Sequence, residues 1–467
     1  MNSSVECDLL IVNACILSMD DQRSIYPSGA VAIAGREIAM VGPEAMVTKS
    51  YHAKRMIDAK GGIVHPGLID SHVHLMHTAR GALPDNTPWK QGMLFYTRWR
   101  DLLDEEEDHA GCLLSCIEMI RNGVTCFMEA GTVLFPNAAA AAAEAVGMRG
   151  FLADTILWDV GAISSEATIR RAPIDRDRCL KQLGGQLWRN KDPNALVRGH
   201  IALYGDGTAS EELMKAGKAK ADEAGVIFAQ HQSFASSDWE IDTQRFGKSP
   251  FLHYAEIDLL GENCTFTHCN VLDHDEMRLI AESRMSIVWC PSSTMVWGNG
   301  GTMHGRHLEL FRHGVNIALG SDSANSCGRF DPSWQACLAV MTAREKTRDG
   351  NALAFENGLE FATLGGAKAV GMERRIGTLQ AGRFADIVIH TPSIPEALTG
   401  IDPVRSVIFS AGSKSVDTVI VDGRIVLRNG KSTLLDEETI YAKARESTIR
   451  MSQRINLPTV PRWPRVT

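Results

Sequence analysis

The stretch Leu68-Ile-Asp-Ser-His-Val-His-Leu75 decides the fold prediction, because it places His72 and His74 directly after an apolar run. That run, Ile63 to Ile69, predicts a buried strand. Side chains two positions apart on a strand point to the same face, so the two imidazoles are expected to project together. A pair of imidazoles held by a rigid element is typical of a metal site.

Short apolar runs recur through residues 67–375, each followed by a longer amphipathic segment. The alternation of strand and helix predicts a parallel sheet, and a segment of this length suits a (β/α)8 barrel. Helices are predicted at Glu211–Ala224, at Asp273–Arg284 and around the alanine run Ala138–Ala143. The predicted strands after the first are Val124–Met128, Gly199–Leu203, Val226–Ala229, Cys264–Thr267, Ser286–Trp289 and Val315–Leu319.

Strand-like segments also lie near both ends of the chain. Asp8–Asn13 and Gly29–Gly35 near the start are matched by Ala385–Ile389 and Val416–Leu427 near the end. We therefore predict an α/β protein in which a (β/α)8 TIM barrel carries a discontinuous β-sandwich module formed by both termini. The predicted domains are residues 1–66 with 376–430 for the sandwich, 67–375 for the barrel, and 431–467 for a C-terminal helix and tail.

Composition narrows the classes of protein to consider. The 467 residues carry a net charge of -8 and contain no long basic run, which argues against nucleic acid and anionic membranes as partners. No segment has the length and apolarity of a membrane span, and the N-terminus lacks the features of a secretory signal. Eleven scattered cysteines are typical of a reduced, cytoplasmic protein. A homo-oligomer, dimer or tetramer, is expected.

Three further ligand-type residues follow predicted strands of the barrel: His231, His268 and Asp322. Reactive groups of such barrels lie at the carboxyl ends of the strands. We assign His72, His74, His231 and Asp322 as ligands of one divalent metal ion. His268 is predicted beside the attacking water, and Asp322 is predicted to accept its proton. The catalytic residues are therefore expected to be Asp322 and His268.

Long motifs link the chain to a known family. Pro66–Leu75, Trp289-Cys-Pro-Ser-Ser-Thr-Met295, Gly314–Ala324 and Gly377–Ile389 together resemble the amidohydrolase superfamily, in its deaminase and chlorohydrolase branch. The resemblance implies a metal-dependent hydrolase of a small molecule. It also implies a mononuclear site, because the predicted fourth strand, Val197–Tyr204, lacks the lysine that bridges two metals in other members. Zinc is favoured, and iron, manganese or cobalt would suit the same ligands.

The chain departs from that branch three residues after His231. The aromatic deaminases it resembles place there a glutamate that protonates a ring nitrogen, whereas this chain has Phe234. A general acid typically contributes about 10²–10⁴-fold to a rate. We therefore predict cleavage of a C–N or C–S bond at a carbonyl carbon, as in an amide, urea, carbamate or thiocarbamate. Bacterial hydrolases of phenylurea and thiocarbamate herbicides such as molinate are similar in size and layout.

Two alternatives stay open at this point. The first is an aminohydrolase, deaminase or chlorohydrolase of an N-heterocycle such as a purine, pterin or triazine, with Glu240 as a replacement acid. The second is a scaffold without catalytic activity. Candidate substrate contacts are Glu129, Phe234, His304 and Trp89, although Glu129 fits a solvated loop equally well. For His304 and the nearby His307, a surface position is favoured.

Overall fold

The computed structural model describes residues 4–75, 80, 87–161, 169–323, 327–455 and 463. Its strands are β1 Val5–Leu17, β2 Ile25–Ala34, β3 Glu37–Pro43, β4 Tyr51–Asp58, β5 Ile63–Pro66, β6 Leu68–Val73, β7 Val124–Glu129, β8 Arg149–Leu152, β9 Val197–Gly199, β10 Ile201–Gly205, β11 Phe228–Gln232, β12 Cys264–His268, β13 Ser286–Trp289, β14 Asn316–Leu319, β15 Ile387–His390, β16 Val416–Val421, β17 Arg424–Arg428 and β18 Lys431–Ser432.

The α-helices are Glu44–Ser50, Trp89–Leu102, Glu105–Arg121, Pro136–Val146, Arg176–Gln182, Glu211–Ala224, Ser236–Phe246, Pro250–Glu256, His274–Ser283, Pro291–Trp297, Gly301–His304, His307–Arg312, Pro332–Thr347, Phe355–Glu360, Gly366–Ala369, Pro395–Leu398, Pro403–Arg405 and Glu437–Ile455. The helices predicted from the sequence are therefore confirmed, with ends shifted by a residue or two. Within the described residues, no helix combines the length and apolarity needed to cross a membrane.

The barrel has eight parallel strand positions around its axis, which are called staves below. They fall into the sheets β6-β7-β8-β9 and β10-β11-β12-β13-β14, and β9 and β10 follow one another along a single stave. The barrel closes between its first and last staves, where a parallel bridge pairs Val73 with Asp322. At the same place the Asp322 amide donates a hydrogen bond to the carbonyl of His72 at 2.9 Å. The predicted (β/α)8 barrel is confirmed, and the closure brings its first and last staves together at their carboxyl ends.

The terminal segments form a second sheet of nine strands. Its order is β18-β17-β16-β15-β5-β1-β2-β3, with β4 paired to β1, so strands from both chain ends interleave. An apolar cluster fills this module, with Leu9 and Val31 from the first segment against Ile387 and Ile420 from the second. The β-sandwich module is thus formed by the two termini. Its last strand, β18, lies just beyond the predicted limit at residue 430, and the predicted domain limits stay predictions.

The predicted strand Ile63–Ile69 is in fact two strands that meet at Gly67. β5 pairs with β1 and β15 in the terminal sheet, whereas β6 pairs with β7 in the barrel. At the junction the chain passes so close to Thr125 that a Cβ on Gly67 would lie 2.0 Å from the Thr125 hydroxyl oxygen. The sequence pattern missed this break, because both strands are buried and read as one apolar run.

Strand β8 was not predicted from the sequence. Its four residues, Arg149-Gly-Phe-Leu152, begin with a charged residue and a glycine, neither of which favours a strand. The structure explains the charge, because the buried Arg149 guanidinium forms ion pairs with Asp386 at 3.1 Å and Asp422 at 3.0 Å. These partners lie more than two hundred residues away along the chain, so a local pattern cannot reveal them.

Candidate metal centre

The barrel brings together the five residues predicted to carry the chemistry. His72, His74, His231, His268 and Asp322 are each at most 8 % exposed. Ligand atoms of His72, His74 and His231 lie within 4.8 Å of one another, and the same holds for His72, His268 and Asp322. His72 and His74 lie at the end of β6, and the other three residues lie at or after the ends of β11, β12 and β14, so only the closed barrel places all five at one point.

Hydrogen bonds orient the rings of His231 and His74. The Nδ1 of His231 lies 2.7 Å from the carbonyl oxygen of Tyr204, which can only accept, so Nδ1 carries the proton. The Nδ1 of His74 lies 2.7 Å from the Thr132 hydroxyl, which donates its own hydrogen to Glu129 at 2.6 Å and therefore accepts from His74. In both rings Nε2 is left with a free lone pair.

The remaining two imidazoles also present free nitrogens. The Nδ1 of His72 lies 3.0 Å from the Thr267 hydroxyl, and its Nε2 is buried without a hydrogen-bond partner in the described part of the chain. In His268 it is Nδ1 that is buried without a hydrogen-bond partner among the described residues. His72, His74 and His231 thus each have one ring nitrogen held by a hydrogen bond and the other free. The pattern in which one ring nitrogen is held from behind and the other is left free is typical of metal-ligating histidines.

The donor set fits a divalent cation. The Nε2 atoms of His74 and His231 are 3.3 Å apart, and His74 Nε2 lies 3.2 Å from Asp322 Oδ1. Because Nδ1 carries the proton in both rings, the lone pairs of the two Nε2 atoms and of Asp322 Oδ1 face one another across these distances. Such lone pairs repel one another unless a cation lies between them. Ligand atoms on one tetrahedral zinc are about 3.3 Å apart, as follows from bonds of about 2.0–2.1 Å, so the spacing matches.

Asp322 is held in its ionised form. Burial by itself would raise the pKa of this carboxyl, but the electrostatic effect of the imidazoles around it, His74 first and then His268 and His72, lowers its pKa well below the ordinary value. The Ser293 hydroxyl donates to Asp322 Oδ2 at 2.6 Å, which leaves Oδ1 to face the histidines. An ionised, oriented carboxylate can serve as a ligand and can accept a proton.

Burial holds His72, His231 and His268 in the neutral form. Burial lowers the pKa of His72 and of His231 well below the ordinary value, and neighbouring imidazoles lower each further. Burial also lowers the pKa of His268 to about 4. Neutral imidazole is the form that coordinates a metal, so these imidazoles can bind an ion at neutral pH without first losing a proton.

His307 holds the backbone at His268. The residues His268 and Cys269 have φ angles of 75° and 49°, a left-handed conformation that other contacts must stabilise. His307 Nε2 donates to the His268 carbonyl at 2.6 Å, and its ring stacks on Trp289 at 4.6 Å. The preference for a surface position was therefore wrong for His307, which is 2 % exposed. His304 does lie exposed.

Phe234 lies against the centre, where the resemblance would place an acid. Its ring is 4.6 Å from that of His268, and the side chain is 4 % exposed. Glu240, considered as a replacement acid, lies on helix Ser236–Phe246 with its side chain exposed to solvent. The buried position beside His268 therefore holds an aromatic ring, and the glutamate faces away.

Glu129, predicted as a substrate contact, lies behind one of the metal ligands. Glu129 is fully buried and accepts hydrogen bonds from Thr132 and from the amide of Gly131 at 2.7 Å, so it supports His74 from behind. Burial raises its pKa. The Trp89 side chain lies outside the described residues. Contacts of Glu129, Phe234, His304 and Trp89 with substrate stay predictions.

Sequence reasoning missed the residues that hold the ligands, namely Thr132, Thr267, Ser293 and His307. Only Ser293 had a signal, since it lies in the quoted motif Trp289–Met295. The others are hydroxyl and imidazole groups in ordinary sequence surroundings. Their roles follow from contacts between distant staves, as in the hydrogen bond between Thr267 and His72.

Comparison with known proteins agrees with this geometry. The model of the amidohydrolase family matches residues 63–426. The 5-methylthioadenosine/S-adenosylhomocysteine deaminase of Syntrophobacter fumaroxidans is 31 % identical over 450 residues, which cover 95 % of this chain and 98 % of the relative. The 5'-deoxyadenosine deaminase of Methanothermobacter thermautotrophicus is 29 % identical over 405 residues, covering 86 % of this chain and 90 % of the relative.

Solved structures show the same fold. A zinc-bound adenosine deaminase from Xanthomonas campestris superposes with a TM-score of 0.88 at 24 % identity, covering 97 % of this chain and all of that one. An atrazine chlorohydrolase variant from Arthrobacter aurescens TC1, solved with zinc and atraton, has a TM-score of 0.84 at 22 % identity and covers 94 % of this chain and all of that one. Because the family model spans most of the chain and the donor set fits a divalent ion, the chain belongs to the amidohydrolase family and is a metal-dependent hydrolase acting on carbon–nitrogen bonds.

Proposed function

We propose that this enzyme binds one zinc ion through His72, His74, His231 and Asp322, and cleaves a C–N or C–S bond at a carbonyl carbon of a small molecule. The observation that carries the proposal is Phe234, an aromatic ring at 4.6 Å from His268. Amides, ureas, carbamates and thiocarbamates contain an electrophilic carbon already, so their hydrolysis needs no acid at that position.

A zinc ion held by these four residues would act as a Lewis acid and would lower the pKa of the attacking water towards about 7. Asp322, oriented by Ser293, accepts a proton from the attacking water and then delivers it to the leaving nitrogen or sulfur. His268 donates a hydrogen bond to the carbonyl oxygen as negative charge develops on it. Its own backbone is held by His307, which keeps that donor in place.

The wall formed by Phe234 has a second consequence for substrate choice. A buried aromatic ring contributes apolar contact area and no hydrogen bond. A substrate whose non-reacting part is apolar, such as an aryl urea or an S-alkyl thiocarbamate, would pack against it. A heterocycle with a ring nitrogen pointing at Phe234 would lose its hydrogen bond to water and gain no replacement, which costs binding energy.

A second candidate function is deamination of an adenosine-type nucleoside. It is favoured by the relative from Syntrophobacter fumaroxidans, a 5-methylthioadenosine/S-adenosylhomocysteine deaminase that is 31 % identical over 95 % of this chain. In this case the ring nitrogen would have to receive its proton from a group other than residue 234. The two candidates differ in their products, because deamination releases ammonia and the first reaction releases an amine or a thiol.

The experiment is a turnover screen of the zinc-loaded protein. Aryl ureas, thiocarbamates, amides, 5'-methylthioadenosine and adenosine are incubated with enzyme, and ammonia, amine and thiol are measured separately. We expect amine or thiol release. Faster release of ammonia from a nucleoside than of any amine or thiol would overturn the first proposal in favour of the second.

Variants connect the product to the residues. We expect His72→Ala and Asp322→Asn to abolish turnover, and retained activity in both would contradict the metal mechanism. Phe234→Glu introduces the missing acid and is expected to raise ammonia release from a nucleoside by about 10²–10⁴-fold. Phe234→Leu is the matched control, because it removes the ring without adding an acid. Equal ammonia release by the two variants would show that position 234 does not select the reaction.

A cytoplasmic location, a dimeric or tetrameric assembly and the absence of nucleic-acid partners belong to the same proposal. The net charge of -8 supports the absence of nucleic-acid partners, and the eleven scattered cysteines support the location. Size-exclusion chromatography with light scattering measures the assembly, and a mass of one chain would contradict the oligomer.

A further inference from the structure

A cavity of about 610 Å³ opens at the end of the barrel opposite the metal centre. Its walls come from residues at or just before the beginnings of staves, including Arg198 in β9 and Ile227 directly before β11. The metal ligands follow the carboxyl ends of the staves, so the two sites lie at opposite ends of the same barrel. The volume lies within the range of about 300–1,000 Å³ typical of small-molecule pockets.

The cavity combines apolar walls with two cations. Phe151, Ile227 and Met372 provide apolar surface, and Arg198 and Lys368 provide positive charge. Both cations are partly buried. Neither forms an ion pair with a carboxylate of the described residues, and the one polar contact of the Arg198 side chain is a 3.5 Å approach to the amide oxygen of Asn190.

Carboxylates near the cavity are confined to its rim. Glu262 and Glu373 line the opening with exposed side chains. Glu262 already lies 3.5 Å from Arg284, which offsets its charge. Burial, and after it the neighbouring Arg149, lowers the pKa of Arg198, while Arg149 is itself paired with Asp386 and Asp422. A partly buried cation without a counter-ion destabilises the fold. An anion bound in the cavity would offset that cost.

His200 lies in the wall of the cavity and is itself 1 % exposed. Both of its ring nitrogens are buried and make no hydrogen bond to any described residue. Buried polar groups are nearly always hydrogen-bonded, and an exception indicates an absent partner. Burial lowers the pKa of His200 to about 4, against a smaller raising effect of the Leu152 backbone, so at neutral pH the ring is neutral and keeps one N–H donor.

We propose that this cavity is a second ligand site, in which Arg198, Lys368 and His200 bind the oxyanion of a small organic acid, a carboxylate or a phosphate carried on an apolar body. The two cations and the imidazole supply donors for the oxyanion, and Phe151, Ile227 and Met372 pack against the body. His200 also lines a void of about 10 Å³ that His72 and His231 border from the other side. A ligand on His200 would therefore lie one small cavity away from the metal centre.

Calorimetric titration at constant ionic strength tests the proposal. Benzoate and phenyl phosphate are titrated separately into the zinc-loaded protein, and inorganic phosphate tests the oxyanion alone. We expect saturable one-site binding of benzoate or phenyl phosphate, and weaker binding of inorganic phosphate. The stronger of the two aromatic probes identifies the natural oxyanion as carboxylate or phosphate.

Variants locate the bound probe. A hydrogen bond to a charged group contributes enough that its loss is expected to weaken binding by about 10- to 100-fold in Arg198→Gln and in Lys368→Gln. Arg312→Gln is the matched control, because Arg312 is an exposed cation at the end of helix His307–Arg312, before β14, and it does not line the cavity. His200→Phe keeps a ring but removes both nitrogens and is expected to weaken binding as well.

Circular dichroism and thermal melts confirm that each variant is folded before its titration is interpreted. The proposal is overturned if neither aromatic probe binds saturably to the wild-type protein. It is also overturned if Arg198→Gln and Lys368→Gln bind as the wild type does, or if Arg312→Gln weakens binding equally. Binding of inorganic phosphate as tight as that of phenyl phosphate would refute the apolar part of the ligand.

Discussion

The hydroxyl of Thr132 is expected to set the metal affinity, although it does not contact the metal. It accepts the Nδ1 proton of His74 at 2.7 Å and donates to Glu129 at 2.6 Å. This chain of hydrogen bonds keeps the proton on Nδ1 and leaves the lone pair on Nε2 for the ion. Thr132→Val has nearly the same shape, so it removes the acceptor while leaving the packing in place.

The magnitude follows from the contacts that are lost. A buried N–H of His74 without an acceptor costs about 1–3 kcal/mol. Substitutions behind metal ligands typically lower affinity by about 10–100-fold, which equals about 1.4–2.7 kcal/mol. Glu129 keeps two backbone donors, from Gly131 at 2.7 Å and Thr132 at 3.0 Å, so its own desolvation adds little. We therefore expect zinc affinity to fall by about 10–100-fold.

The assay is a competition titration of zinc against a chromophoric chelator, with circular dichroism to confirm folding. Thr132→Ser is the matched control, because it retains the hydroxyl and should bind zinc within a few-fold of the wild type. Equal zinc affinity in the valine and serine variants would refute the argument that this hydroxyl orients His74. An equal loss in both would assign the effect to disturbed packing around residue 132 and would refute it too.

Three further predictions concern metal, pH and packing. Removal of zinc with a chelator should abolish turnover and lower the thermal midpoint, because an ion present at 100 times its Kd stabilises the fold by about 2.7 kcal/mol; an unchanged midpoint would contradict the site. In the terminal module His65 Nε2 lies 2.8 Å from His390 Nε2, and burial lowers the pKa of His65 from 6.5 to about 4. The unfolded chain therefore binds a proton that the folded chain excludes, so stability is full above pH 6.5 and falls as the pH drops towards 4, by about 1.4 kcal/mol per pH unit for each such histidine. Urea midpoints measured across this range should show a flatter profile for His65→Gln than for the wild type. Gly67→Ala should destabilise the protein by about 1–3 kcal/mol, because the new Cβ would lie 2.0 Å from Thr125, whereas Gly350→Ala, with nothing within 4 Å, should leave the urea midpoint unchanged.

The barrel, the terminal module and the identity of the five central residues could be predicted from the amino-acid pattern alone. His72 and His74 follow an apolar run, and His231, His268 and Asp322 follow or end later ones. In a parallel barrel every strand ends at the same face, so a ligand-type residue at the end of a run is already assigned to that face. The substitution of phenylalanine at position 234 is equally visible, because it depends on a spacing of three residues from His231.

The groups that surround and support those residues could be identified only from the folded protein. The contact of Thr267 with His72, the bond from His307 to the carbonyl of His268, and the burial of Glu129 behind His74 join staves that are far apart in the chain. The break at Gly67 and the unpartnered His200 at the far end of the barrel are of the same kind. Periodicity records which face of a strand a residue occupies, but hydrogen-bond partners and cavities depend on distances between segments, and those distances exist only once the barrel has closed.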